Sequence, residues 1–311
     1  MRININEISK IINDNNEFRI FTHKQPDGDA VASAVGLAMI LQSMGKKAEV
    51  KCCDKFPEKF MPLIESFIND DTENPVLISV DNASIERLGD YSNENVTVCI
   101  DHHDSNKCLI ENTYLEPDAV SCSLIIYKIF RYMGVQISLI ALELLFAGII
   151  TDSLCFQSPA TNSEAFSVVS EMAQLIDTSD IINQVFVNKS KNELTVEQKL
   201  LGSMEYYFDN SLVVGYLTND IINLIGKNNT GGLSSLVMKP TGVVLGITIL
   251  EKNPGKYNVT FRSAGELDVS VLAAAMGGGG HQTAAGTIIE ADNVRFVINA
   301  VVDKAKKIYI L

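Results

Sequence analysis

Short apolar runs alternate with helix-length segments through the first 150 residues. "FRIFTH" (Phe18–His23), "KAEVKC" (Lys47–Cys52), "PVLISV" (Pro75–Val80) and "VTVCI" (Val96–Ile100) read as buried strands. Between the first two lies a helical pattern, "GDAVASAVGLAMILQSMG", that stops at Gly45. This alternation predicts an α/β fold whose largely parallel sheet is flanked by helices. Helical patterns dominate from Ala119 to about Leu201: "AVSCSLIIYKIFRYMG", "SLIALELLFAGII" and "SEAFSVVSEMAQLI". A polar stretch with helical spacing, "NKSKNELTVEQKLLGSM", reads as a linker helix. Beyond it "SLVVGYLT", "GVVLGITIL" and "KYNVTFRS" are strand-like, a helix "DVSVLAAAM" and a glycine run follow, and "NVRFVINAVVDKAKKI" closes the chain as a helix. The expected organisation is a first domain over 1–187, a connecting helix over 188–208 and a smaller α/β domain over 209–311.

Composition narrows the class. The chain has 311 residues, 46% hydrophobic and 20% charged, enough for two globular cores. Its most apolar run, "LIALELLFAGII", is shorter than a membrane span and carries Glu143, so a buried helix is expected and no membrane partner. The start, "MRININEISK", lacks an apolar signal core. Six cysteines contain no CxxC pair and read as reduced thiols of a cytoplasmic protein, with no structural zinc site. A net charge of −13 argues against binding duplex nucleic acid and leaves room for a small anionic substrate at one local site. The sequence leaves a homodimer open.

The chemistry gathers at the strand ends. The first strand runs into His23 and then "KQPDGDA", which supplies Asp27 and Asp29. The third runs into Asp81, the fourth into Asp101, His102 and His103, and Asp152 follows the apolar helix. Ligands of open parallel sheets bind beyond the carboxyl ends of the strands. Taken singly, "PDGD" is a common turn and an Asp after a strand a common helix cap. Two adjacent histidines between acids, straight after a buried strand, depart from that background, because the chain has only four histidines. Asp27, Asp29, Asp81 and Asp152 held together would repel one another and need cations among them. Two divalent ions would balance the four carboxylates, with neutral imidazoles completing the ligand set. Oxygen-rich sites with a few imidazoles favour Mn²⁺, with Mg²⁺ or Co²⁺ as alternatives. Paired metals are the usual equipment for phosphate-ester hydrolysis, in which a water ionised between the ions attacks phosphorus.

A second motif is "GGGGHQTAAG" (Gly277–Gly286), set between a helix and a strand rather than in serine-rich linker sequence. Glycines admit an anion close to backbone N–H groups, so Gly278, Gly279 and Gly280 are expected to bind substrate. His281 adds a donor, and Arg262 upstream could clamp a phosphate.

These motifs in this order resemble the DHH phosphoesterases: His23-x-x-x-Asp27-x-Asp29, Asp81 after a strand, "DHH" at 101–103 and "TD" at 151–152. The segment "FRSAGELDVSVLAAAMGGGGHQTAAG" resembles the DHH-associated C-terminal domain, so the likeness runs from His23 to Gly286. It is nearest to the bacterial group that cleaves very short oligoribonucleotides, 3′-phosphoadenosine 5′-phosphate or cyclic-dinucleotide products. The resemblance implies that His23 and Asp27 hold one metal, that Asp29, His102 and Asp152 hold a second, and that Asp81 bridges them. It further implies that His103 faces the substrate, with Asp101 orienting a neighbouring imidazole. Short RNA oligonucleotides or small nucleotides are the implied substrates. A cyclic di-AMP or linear dinucleotide phosphodiesterase is the alternative within the class, and a non-catalytic nucleotide sensor is the alternative outside it. Ala32 and Leu154 stand where relatives often have glycine, and Gln282 where a basic residue is frequent.

Overall fold

In the computed structural model, which describes residues 1–226, 230, 232–265 and 267–309, the chain divides into Met1–Asn188 and Lys189–Leu311. Glu266 of the C-terminal motif lies outside the described residues. The first unit is built on five parallel strands: β1 (Glu17–Phe21), β2 (Lys47–Lys51), β3 (Val76–Val80), β4 (Val98–Asp101) and β5 (Asn112–Leu115). Their order is β2-β1-β3-β4-β5. The chain therefore turns one way after β1 and the other way from β3 onward. The carboxyl ends of β1 and β3 flank the switch point, where such sheets place their ligands. The expected four strands are present, and β5 is added. Its four residues, "NTYL", are too short and too polar at the start to stand out from a loop.

Helices of this unit are α1 (Ile5–Asp14), α2 (Gly28–Ser43), α3 (Met61–Ile64), α4 (Cys122–Tyr132), α5 (Leu139–Asp152), α6 (Ser163–Met172) and α7 (Thr178–Ile182). Asp27 caps α2, accepting from the Ala30 N–H at 3.1 Å. Ser121 caps α4, so the helix begins at Cys122 rather than at Ala119. Helices α2 and α5 are apolar almost all round, because they pack on each other as well as on their neighbours in the core. Gly148 permits their close approach: a Cβ there would overlap Ser123 Oγ and lie 2.7 Å from the Cβ of Ala32. Ala32, fully buried, is thus the one methyl group at a contact whose other side is bare.

The second unit contains α8 (Lys191–Gly202), β6 (Glu205–Tyr207), β7 (Leu212–Leu217), α9 (Asn219–Ile222), α10 (Leu233–Leu236), β8 (Leu245–Asn253), β9 (Lys256–Ser263), α11 (Val269–Ala274), β10 (Gly279–Gly280), β11 (Ala284–Glu290) and α12 (Val294–Tyr309). Its sheet runs β10-β11-β9-β8-β7-β6, antiparallel except for the β7–β8 pair. The helix expected to stand apart as a connector belongs to this unit. Val196 and Leu200 of α8, one helical turn apart, are fully buried with Leu217 and Ile222. Among the described residues no helix is long and apolar enough to cross a membrane.

Substituting Gly148→Ala is expected to destabilise the protein by about 1–3 kcal/mol, since a well-packed contact must open for the added methyl. Thermal melting checks this, and an unchanged midpoint would contradict the close approach.

Candidate metal centre

Beyond the ends of the parallel strands, six predicted residues converge. His23 follows β1 and is 2% exposed. Its Nδ1–H donates to the Lys24 carbonyl at 2.8 Å, which leaves Nε2 facing Asp81 Oδ2 at 3.7 Å and Asp27 Oδ2 at 3.8 Å. His102 is held the same way. Its Nδ1–H donates to the Ala119 carbonyl at 3.1 Å, and its Nε2 lies 3.4 Å from Asp152 Oδ2 and 3.5 Å from Asp81 Oδ1. Asp29, in the first turn of α2, is buried against the start of α4 and accepts from the N–H groups of Cys122 and Ser123 at 2.6 and 3.0 Å. A carboxylate there also complements the positive end of the helix.

Ligand atoms of His23, Asp27 and Asp81 all lie within 4.8 Å of one another, and so do those of Asp29, His102 and Asp152. A third such group joins Asp81 to His102 and His103. Asp81 stands between the first two groups, one oxygen toward His23 and the other toward His102. Its φ of 52° is the left-handed conformation that aspartate tolerates better than most residues.

The electrostatics of these side chains do not close among themselves. Burial, and then the nearness of Asp81 and Asp152, hold the Asp29 carboxyl far above the ordinary carboxylate range. Burial and the neighbouring aspartates push Asp152 up to about 6. Against the cost of its own burial, His102 is raised to about 10 by Asp81, Asp29 and Asp152. Burial opposes ionisation of Asp81 too, yet His102 and His23 pull its carboxyl below the ordinary range. Oδ1 of Asp81 is buried and makes no hydrogen bond, an expensive condition for a carboxylate oxygen unless a cation completes it. Oxygen and imidazole donors at these distances fit a hard or borderline divalent ion. The clusters are candidate divalent-cation sites.

Asp101 and His103 are placed differently. Asp101 ends β4, is fully buried and joins none of the three ligand groups. Its Oδ1 accepts from the N–H of His102 at 2.9 Å and from His103 Nδ1–H at 2.7 Å, and its Oδ2 accepts from Asn106 Nδ2 at 2.7 Å. The ring of His103 is partly exposed, with Nε2 as its remaining nitrogen.

In the second unit, Arg262 on β9 lies opposite Ala284 on β11, whose carbonyl accepts the His281 N–H at 2.8 Å. Arg262 and His281 therefore lie on either side of Ala284 at one end of the sheet, both exposed, and Arg262 Nε donates to Ser234 Oγ at 3.3 Å. The glycine run is more ordered than an open cradle. The Gly277 and Gly278 N–H groups close α11, donating to the carbonyls of Ala274 and Ala273, while Gly279 and Gly280 pair with β11. At Gly280, with φ 149°, a Cβ would come within 2.6 Å of the Ala284 carbonyl oxygen. Tight strand pairing accounts for glycine at this position.

Residues 17–149 match the DHH family, N-terminal domain, and residues 211–307 match the DHHA1 domain. The chain is a DHH-family protein carrying a DHHA1 domain. The bifunctional oligoribonuclease and PAP phosphatase NrnA of Thermus thermophilus is 24% identical over 278 residues, covering 87% of this chain and 83% of that protein. The cyclic-di-AMP phosphodiesterase GdpP of Geobacillus thermodenitrificans is 26% identical over 316 residues; the match covers 91% of this chain and 46% of GdpP. An exopolyphosphatase-related protein from Bacteroides fragilis shares the fold, with a TM-score of 0.85 at 24% identity over 97% of this chain and 96% of that one. This DHH protein is a metal-dependent phosphoesterase.

Departures noted in the sequence take physical form in this DHH protein. Leu154 has φ 51° and is followed by Cys155 at 53° and Phe156 at 66°. That left-handed turn after Asp152 is the conformation glycine adopts without cost. Gln282 is exposed, and its carbonyl accepts the Val269 N–H at 2.8 Å. Sequence reasoning passed over Asn106, which in "DHHDSN" looks like a turn residue, and the pair Ser33 and Ser123 beside Asp29. None carries a motif signal beyond being polar near one.

Because burial and neighbouring aspartates raise the proton affinity of Asp29 and Asp152, and the aspartates raise that of His102, protons compete with a cation for these groups. Mn²⁺ titrations in buffers of differing ionisation enthalpy are expected to show net proton release and weaker binding as pH falls from 8 to 6. Buffer-independent heats would contradict the coupling.

Proposed function

We propose that the chain hydrolyses phosphate esters of short oligoribonucleotides and of 3′-phosphoadenosine 5′-phosphate, using two divalent cations, with Mn²⁺ as the favoured ion. The carrying observation is Asp81, buried, with each carboxylate oxygen turned to a different ligand group and Oδ1 lacking a hydrogen bond. His23 and Asp27 would hold one cation, Asp29, His102 and Asp152 the other, with Asp81 shared. The cations would supply charge neutralisation on the phosphoryl oxygens and an ionised water for attack.

The remaining chemistry falls to protein groups. His103 keeps its Nδ1 proton on Asp101 and presents Nε2 to the substrate, either contacting a phosphate oxygen or giving a proton to the leaving oxygen. Buried Asp101 fixes that tautomer and the ring plane. Arg262 and His281 would bind the terminal phosphate or nucleotide, with Gly279 and Gly280 giving close backbone access and Gly278 shaping the turn that presents them. Support for nucleotide substrates comes from likeness to NrnA over most of both chains. Likeness to GdpP favours a cyclic-dinucleotide substrate as the second reading, but it spans less than half of that protein. Six free thiols suit a cytoplasmic setting.

Rates of the purified protein on a ribodinucleotide, 3′-phosphoadenosine 5′-phosphate and cyclic di-AMP, each with Mn²⁺, test the assignment. Turnover of the first two well above the third is expected. Preference for the cyclic substrate would establish the second reading, and tight binding without turnover would make the chain a sensor. Asp81→Asn should lower turnover by at least about 10²-fold, the upper range seen when a partner of a metal site is lost, with reduced Mn²⁺ content. His103→Ala should slow turnover with Mn²⁺ content retained; loss of metal instead would exchange the roles of His102 and His103.

A further inference from the structure

Behind His103 lies a group that neither the motifs nor the ligand clusters include. Asn106 Nδ2 is surrounded by acceptors: Asp101 Oδ2 at 2.7 Å, the Asn82 carbonyl at 3.4 Å and Cys99 Sγ at 3.6 Å. Its Oδ1 accepts the Cys108 N–H at 2.8 Å, and its own N–H donates to the His103 carbonyl at 3.0 Å. The amide can therefore sit only one way round, because a flip would set its oxygen against the Asp101 carboxylate and the Asn82 carbonyl and its NH₂ against an N–H. Burial pushes the Cys99 thiol up to about 12, so that neighbour stays a neutral thiol.

Asp101 has no water to fall back on, being fully buried. Its Oδ1 is taken by the His102 and His103 N–H groups and by His103 Nδ1–H. Its Oδ2 is bound by Asn106. Without that donor one oxygen of a buried carboxylate would go unpaired, and the carboxylate would be free to rotate toward other donors. Rotation would carry the imidazole of His103 with it. We propose that Asn106 is a positioning residue for His103, acting through Asp101: an amide–carboxylate–imidazole relay that fixes the plane and tautomer of the ring. This rests on the reading of His103 as the group that faces substrate.

The two ends of the Asn106 side chain separate this role from a merely structural one. Aspartate or serine at 106 keeps an acceptor for the Cys108 N–H, and so keeps the turn, but loses the donor that reaches Asp101 Oδ2. Under the proposal Asn106→Asp and Asn106→Ser both lower kcat on a ribodinucleotide by about 10- to 100-fold, as for other residues that orient a ligand from behind. KM, Mn²⁺ content and the melting temperature of Asn106→Ser should change little. Added to His103→Ala, Asn106→Ser should bring no further loss, since the relay then has nothing to orient. Should Asn106→Asp bury a second carboxylate badly enough to unfold the protein, the serine variant and the double variant carry the test alone. Wild-type kcat in Asn106→Ser, or a full additional loss in the double variant, would overturn the proposal. If His103→Ala itself leaves kcat unchanged, the role given to His103 is what fails.

Discussion

Like charges at close quarters set the terms for the first unit. Four aspartates and two imidazoles meet in overlapping groups at the switch point of a parallel sheet, with His23, Asp29 and Asp81 buried and Asp27 open to water. A cluster of this kind does not assemble itself, since its members repel. It persists only if the surrounding fold grips each side chain from the side facing away from the centre. His23 and His102 are gripped through Nδ1 by backbone carbonyls, which leaves both Nε2 atoms inward. Asp29 is gripped by the first amides of α4, and Asp81 by its place at the end of β3. Support of this kind orients ligands and raises their affinity for a cation.

The cost is borne by the core. Helix α2 carries two of the aspartates at its start, so its register must be fixed to within a fraction of a turn. Near-complete burial of α2 and the bare contact at Gly148 supply that constraint. Ser123 links packing to chemistry: its N–H donates to Asp29 while its hydroxyl meets Ser33 and borders Gly148. A change deep between α2 and α5 therefore reaches the candidate metal centre through one buried side chain.

Much of this was legible in the chain. Four of the five parallel strands announce themselves as apolar runs, and acids or imidazoles follow the ends of three of them, so a parallel sheet by itself predicts that they meet at its carboxyl edge. What was not legible has physical reasons. β5 is four residues long and gains its identity only by pairing with β4. α1 buries a narrow stripe, Ile8 and Ile12, in an otherwise polar sequence. The polar stretch around α8 reads as a connector because only Val196 and Leu200 turn inward. The glycine run suggests an anion cradle, while its backbone is partly engaged in closing α11 and pairing with β11, bonds that depend on residues elsewhere in the chain. Asn106 is recognisable only once Oδ2 of Asp101 is seen to need a donor of its own.

The central claim is that the crowded carboxylates exist to hold a pair of cations about Asp81. Anomalous scattering from a crystal grown with Mn²⁺ tests it most directly. Two manganese peaks about 3.5–4 Å apart, with one Asp81 oxygen on each, are expected. A single peak, peaks elsewhere, or an Asp81 carboxylate that touches neither ion would contradict it.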